Sequence, residues 1–105
     1  MTLFNEREKA FEDRFARDEA MRFNARALCT RMLGRWAAEQ LGKSGTAAED
    51  YASGLISIDL AEPGYRQVVR KVAEDFHGRH TEEEIRAKLA EFLPLATAQV
   101  LSERS

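Results

Sequence analysis

The residues best able to do chemistry in this sequence are two histidines and a few adjacent acidic pairs. His77 and His80 stand three residues apart in FHGRH, a spacing that could place two imidazoles on one metal ion. Gly78 is expected to end a helix between them and no further ligand is close in sequence, so helix-end histidines are the ordinary interpretation. Acidic pairs such as Glu12-Asp13 are typical of solvated helix faces. We therefore expect neither a metal site nor catalytic residues.

The single cysteine and the densest basic run give weaker signals. Cys29 lies in an apolar helical pattern, cannot form an internal disulfide and is expected to be a buried small side chain. The basic run could bind phosphate groups or could be a solvated helix face, and both interpretations stay open. With no GxxxxGK[ST] loop in the chain, any nucleotide would have to bind in a surface cleft. The cations of the run are Arg22, Arg26, Arg31, Arg35 and Lys43.

Composition bounds the class of protein. A chain of 105 residues with 44% hydrophobic and 32% charged side chains is long enough for one domain with a modest core. Its formal charge of -2 gives no general attraction to nucleic acid or anionic lipid. No apolar run approaches the roughly 18–20 residues that span a bilayer, and the N-terminus lacks the apolar stretch of a signal peptide. We expect a cytoplasmic protein that does not insert into the membrane.

Apolar spacing predicts an all-α fold, an antiparallel four-helix bundle spanning residues 19–105. A broad apolar arc from about Met21 to Leu41 indicates a central helix that contacts more than one neighbour. A second helix is expected to begin at a Thr46–Glu49 capping box and to end before Pro63. A short third helix ends near Gly78. A Thr81–Glu84 capping box predicts the start of a fourth, in which Pro94 should cause a kink or a break.

The first 18 residues form a different kind of segment. Phe4, Phe11 and Phe15 would share one helical face, but charged residues such as Arg22 and Arg26 occupy the positions that extend this face. Three aromatics on a charged background make no core, so we expect a segment that is mobile when free and conditionally helical. It could cover the edge of the bundle or dock in the groove of a partner, and composition leaves both open.

The order of motifs resembles the zeta subunit of alpha-proteobacterial F-type ATP synthases over essentially the whole chain. The resemblance rests on Phe4, REKAFEDRFARDEAMRF, LGRWAAEQLG, Tyr51-Ala52, EPG, a Val-rich KV segment and EIRAKLAEF, and is most specific in the Phe-bearing segment and LGRWAAEQLG. It implies a four-helix bundle that inhibits ATP hydrolysis by the F1 sector. Residues 1–18 would enter a catalytic interface near the central rotor and block rotation in the hydrolytic direction.

The resemblance also implies site residues, a ligand and a location. Phe4, Phe11 and Phe15 would be apolar anchors, and the polar contacts would come from Arg7, Lys9, Arg14 and Arg17. The family is associated with a regulatory adenine nucleotide, ADP or ATP, although no cofactor is required. The protein would be a monomer when free and peripheral to the inner membrane through F1.

We place the nucleotide hypothesis on the LGRWAAEQLG block, where a base could stack on Trp36 and Gly34 would permit close approach. Arg31, Arg35 and Lys43 would face the phosphates. The alternative is that Trp36 belongs to the core and the cations are solvated. At the level of the whole protein, the alternatives to an F1 inhibitor are a nucleotide-sensing helical module and an adaptor with an unrelated partner.

Overall fold

The computed structural model describes the backbone of residues 2–104 and the side chains of residues 18–103. Four helices follow one another along the chain: α1 (Thr2–Gln40), α2 (Gly45–Ala61), α3 (Arg66–Phe76) and α4 (Glu82–Arg104). The described residues contain no β-strand, which confirms the predicted all-α class. Helix α1 continues across the predicted boundary between residues 18 and 19. No described helix is long and apolar enough to cross a lipid bilayer.

Helix α1 is the central element because it packs against both α2 and α4. Contacts with α2 run in opposite directions along the two helices: Arg31 reaches Glu49, whereas Arg26 reaches Asp59. Lys88 of α4 lies over Trp36 near the end of α1, whereas Thr97 and Val100 line a depression with Met21 and Ala25, so α4 is also antiparallel to α1. The bundle is therefore antiparallel, as the short connections predicted.

The core lies between the four helices and is built from medium-sized apolar side chains. From α1 it takes Cys29, Leu33 and Ala37, all fully buried. The other helices contribute Leu55, Val68, Val69, Val72, Phe76, Ile85, Leu89 and Ala96. The wide apolar arc of α1 is thus explained by neighbours on two sides. Since β-branched residues dominate the buried face of α3, this short helix depends on packing for its stability.

The closest approach between α1 and α2 is at Gly34. A β-carbon built on Gly34 would lie 2.6 Å from the Cα of Ala52 and 2.8 Å from its Cβ. Ala38 and Ala52 are fully buried beside this contact. Small residues on both helices therefore let the two backbones approach at a distance that a larger side chain would prevent.

The helix termini confirm one predicted capping box and correct the other. The amide of Glu84 donates to Thr81 Oγ1 (3.1 Å), and the amide of Thr81 donates to Glu84 Oε1 (3.2 Å), which is the reciprocal pattern predicted for α4. The Thr46 prediction was wrong. Helix α2 begins at Gly45 after Ser44, without a side-chain cap, and the carboxylate of Glu49 is bound by two arginines of α1 instead of the start of the helix.

Of the kink or break expected at Pro94, the break is wrong, since α4 continues to Arg104 as one helix. Proline lacks the amide proton that would bond to the carbonyl of Ala90. Both residues are exposed, so water can take the place of the missing donor. Farther along, the Thr97 hydroxyl donates to the carbonyl of Leu93 (2.9 Å). The exposed position of the proline explains why the helix tolerates it.

Candidate functional site

The predicted partner-binding residues all precede the side chains that the structure describes. They are Phe4, Arg7, Lys9, Phe11, Arg14, Phe15 and Arg17. The division of the chain at residue 18 and the mobility of the first segment likewise remain predictions. The described side chains begin at Asp18, and they show how the stretch of α1 that directly follows this segment is attached to the bundle.

The attachment centres on an ion pair between α1 and the end of α2. Arg26 binds Asp59 through two bonds, with Nε 2.9 Å from Oδ2 and Nη2 3.1 Å from Oδ1. Asp59 is only 6% exposed, and this bidentate partner satisfies both of its carboxylate oxygens. Hydrogen bonding to Asp59 raises the pKa of Arg26 above its ordinary value, against the opposing effect of burial. Arg26 thus ties α1 to α2.

Tyr65 extends this pair to the beginning of α3. Its backbone amide donates to Asp59 Oδ1 (3.2 Å), its hydroxyl donates to the carbonyl of Arg26 (3.4 Å), and its ring lies 4.4 Å from the guanidinium carbon of Arg26. The backbone at Tyr65 has φ of 67°, a left-handed conformation that non-glycine residues seldom adopt. Burial raises the pKa of the Tyr65 hydroxyl above its ordinary value.

The Arg26–Asp59–Tyr65 junction explains how a charged residue is accommodated at one position that would extend the face of Phe4, Phe11 and Phe15. Arg26 interrupts this apolar face, yet its charge is compensated inside the protein. We did not foresee the contribution of Asp59, which is 33 residues from Arg26 in sequence. The available signal was an acidic residue next to Ile58 on the buried side of helix two, together with a cation on the core-facing side of helix one. The junction has no reactive group and fixes the relative positions of three helices.

The basic run does not form one phosphate-facing surface. Arg31 and Arg35 both pair with Glu49, with Nη2 of each 2.9 Å from a carboxylate oxygen. The hydrogen bond from Arg31 is the main cause that lowers the pKa of Glu49, and Arg35 adds to it. Lys43 lies after α1, its ammonium 5.9 Å from the ring centre of Tyr51. These cations already have partners within the bundle.

Trp36 lies on another side of α1, half-buried against α3 and α4. Its ring centre is 5.6 Å from that of Phe76 and 5.3 Å from that of His80, and the Lys88 ammonium lies 5.3 Å above it. The space beside Gly34 is occupied by Ala52 of α2, which leaves no room there for a ligand. No described contact joins Trp36 to Arg31, Arg35 or Lys43, so the structure does not bring the five residues of the nucleotide hypothesis together. Nucleotide binding stays a prediction.

His80 and Cys29 contact groups within the bundle, and His77 lies at the end of α3. His80 Nδ1 lies 3.1 Å from Glu84 Oε2, and this contact is the largest cause of the lowered pKa of Glu84. His77 ends α3 in a left-handed conformation, with φ of 51°. The described side chains include no group of three or more His, Cys, Asp and Glu residues that could hold a metal. Cys29 is buried as predicted, and burial raises the pKa of its thiol, which points to the carbonyl of Leu89.

Comparisons with known proteins support the resemblance that the order of sequence motifs indicated. A protein whose structure was determined by solution NMR shares 41% sequence identity with this chain, and the two structures superpose with a TM-score of 0.71. The match covers 79% of this chain and 98% of that protein's chain. No curated protein matches the sequence. The family model for ATPase inhibitor subunit zeta matches residues 1–99. Because this match covers nearly the whole sequence, the chain belongs to the ATPase inhibitor subunit zeta family.

Proposed function

We propose that this protein inhibits ATP hydrolysis by the F1 sector of an F-type ATP synthase, and that residues 1–18 are the inhibitory element. The description of the family supports a regulatory role that uses no chemistry of its own. The segment enters a catalytic interface between F1 subunits near the central rotor. A helix held there blocks rotation in the hydrolytic direction.

The observation that supports this assignment is the position of the core along α1. The described core residues of this helix begin at Ala25, whereas α1 itself begins at Thr2. Upstream of Ala25 the described side chains of α1 are half-buried or exposed. Since the described side chains become more exposed toward residue 18, we expect the three phenylalanines that precede them to contact a partner.

The expected affinity follows from the number of anchors. Burying three phenylalanines contributes roughly 4.5–9 kcal/mol before costs. Ordering the segment costs about 2–5 kcal/mol, and association itself costs more. The segment alone therefore binds weakly. The folded bundle improves binding if it supplies a second contact, because this raises the effective concentration of the segment at its groove.

The test is the ATP hydrolysis rate of purified F1 from the same organism, depleted of this protein, as the chain is added. Full-length protein is expected to inhibit in a saturable way. The double substitution Phe11→Ala/Phe15→Ala should abolish inhibition because it removes two apolar anchors. Asp13→Ala is the matched control, since it lies two residues from both phenylalanines and so on the opposite face of a helix.

The outcomes separate a loss of docking from a loss of folding. Circular dichroism must show the same helix content and melting temperature for all variants. Removal of residues 1–18 should leave the bundle folded and eliminate inhibition; inhibition that survives this deletion would refute the mechanism. A folded full-length protein that never inhibits would instead favour the adaptor or the nucleotide-sensing module.

A further inference from the structure

Large apolar side chains are exposed at the end of the bundle from which α1 leads back to residues 1–18. Phe23 of α1 is 56% exposed, Leu60 near the end of α2 is 55% exposed, and Leu93 of α4 is 40% exposed. These three residues, here called the Phe23 patch, come from three different helices. Exposed apolar clusters of this kind are uncommon on a protein that acts alone, and they mark interaction surfaces.

Two depressions connect the members of the Phe23 patch. One, of about 190 Å³, lies between α1 and α2 and has Phe23, Ile56, Leu60 and Pro63 in its wall. The other, of about 350 Å³, lies between α1 and α4 and is bordered by Phe23, Leu93 and Thr97. Arg26 lines both, held in place by Asp59. Phe23 therefore stands between two shallow sites that could each receive an apolar side chain.

Charge at the rim of the Phe23 patch indicates what it would bind. Arg26 is neutralised by Asp59, but Arg22 is exposed and forms no ion pair among the described residues. Arg31 and Arg35, by contrast, share Glu49. An apolar surface with an available cation at its edge is complementary to a protein surface that is apolar and carries a carboxylate beside it.

The position of the Phe23 patch selects among such surfaces. Phe23 follows Phe15 by eight residues in the same helix, a distance of about 12 Å at 1.5 Å per residue. A partner that holds Phe15 in a groove therefore has its surface within reach of Phe23. Arg22 follows Phe15 by seven residues, or about two helical turns, so the two positions lie on the same face of the helix.

We propose that the Phe23 patch is a second contact with the F1 sector, made by the folded bundle when residues 1–18 are docked. This inference rests on the proposed function and adds a surface to it. The site on F1 is apolar with an acidic side chain facing Arg22. Phe23 and Leu60 set the affinity of the complex, whereas residues 1–18 block rotation.

The experiment compares inhibition curves of full-length variants on purified F1. Phe23→Gln/Leu60→Gln is expected to raise the concentration for half-maximal inhibition at least tenfold while leaving maximal inhibition unchanged. Leu95→Gln is the matched control because Leu95 is 57% exposed but lines neither depression, and it should change this concentration less than twofold. Equal potency of the double variant and wild type would overturn the second contact alone.

A charge reversal gives an independent readout should the double variant fold poorly by circular dichroism. Arg22→Glu is expected to weaken inhibition, and more strongly at low salt than at high salt, because it removes an attraction to a carboxylate. Arg86→Glu, at an exposed position of α4, is the control and should have little effect. No change with Arg22→Glu would overturn the predicted acidic partner.

Two further outcomes separate this inference from its alternatives. If wild type does not inhibit at all, the proposed function fails and the second contact fails with it. Sedimentation of the free protein tests whether a second copy covers the patch. A monomer is expected; a dimer that Phe23→Gln/Leu60→Gln dissociates, with inhibition unchanged, would reassign the surface to self-association.

Discussion

Two stretches of one helix, residues 18–24 and residues 25–38 of α1, differ in their relation to the rest of the protein. The second stretch packs against α2 and α4 and includes Leu33, Gly34 and Ala37, all buried. The first stretch has exposed side chains at five of its seven positions, Phe23 among them. Both are helical, so helix formation does not distinguish them. What distinguishes them is packing, which stabilises the second stretch and leaves the first available to a partner.

The Arg26–Asp59–Tyr65 junction stands near the boundary between these stretches. It fixes α1 to the connection between α2 and α3 where the buried part of α1 begins. The two stretches therefore differ in burial and in their proposed roles: one holds the fold together, and the other leads to the segment that we propose inhibits F1.

The largest expected effect is on stability, from truncating one side chain in each stretch. Leu33→Ala should lower the free energy of unfolding by about 2–5 kcal/mol, because it leaves a cavity at a fully buried position. Phe23→Ala should change it by no more than about 0.5 kcal/mol. Urea denaturation followed by circular dichroism measures both. Similar losses for the two variants would show that the first stretch also belongs to the core.

The next effect compares two helical glycines, one packed and one open. Gly34→Ala would place a β-carbon 2.6 Å from the Cα of Ala52, a backbone atom that can move only with its helix. Overpacking costs about 1–3 kcal/mol, more than the roughly 1 kcal/mol that alanine gains in helix propensity. Gly54→Ala meets nothing within 4 Å and should stabilise the protein by about 0.5–1 kcal/mol. Melting temperatures should therefore shift in opposite directions; a rise with Gly34→Ala would contradict the close contact.

The smallest effect concerns the exposed ion pairs that join α1 to α2. Arg31, and then Arg35, hold the pKa of Glu49 below its ordinary value of 4.5. Since the folded state has the lower pKa, this group stabilises the fold above pH 4.5, and the contribution disappears as pH falls through the folded pKa. Glu49→Gln should be slightly less stable than wild type at pH 7 and equally stable at strongly acidic pH. Urea unfolding at both pH values measures the difference, and a constant gap would contradict the assignment.

Local patterns predicted the helices, their antiparallel order, the burial of Cys29 and the Thr81 cap, because each depends on residues close in sequence. The long-range pairs were beyond such patterns. Asp59 binds Arg26, which is 33 residues away in sequence. The carboxylate of Glu49, predicted to form a capping box with Thr46, binds two arginines of another helix instead. The break expected at Pro94 overlooked its exposure, which lets solvent replace the missing helical hydrogen bond.

The nucleotide hypothesis shows that residues close in sequence need not lie close together in the structure. Arg31, Arg35 and Trp36 are close in sequence, but on a helix they contact different neighbours: the two arginines contact Glu49, and the indole contacts Phe76 and His80. Proximity along the chain is a poor guide to a shared site when the residues occupy different faces. Phe4, Phe11 and Phe15 were grouped by a common face instead, whereas the four cations beside them follow from the family resemblance, and both choices await the inhibition assay.

The location of Trp36 gives the protein a built-in optical probe. It is the one tryptophan of the chain, and its indole is enclosed by Phe76, His80 and Lys88 at the end of α1 farther from Phe23. Its fluorescence emission should shift when the bundle unfolds, as water reaches the ring, and should stay constant when only the opposite end of the bundle meets a partner. A variant that loses inhibition while its emission spectrum is unchanged is therefore defective in docking and intact in folding.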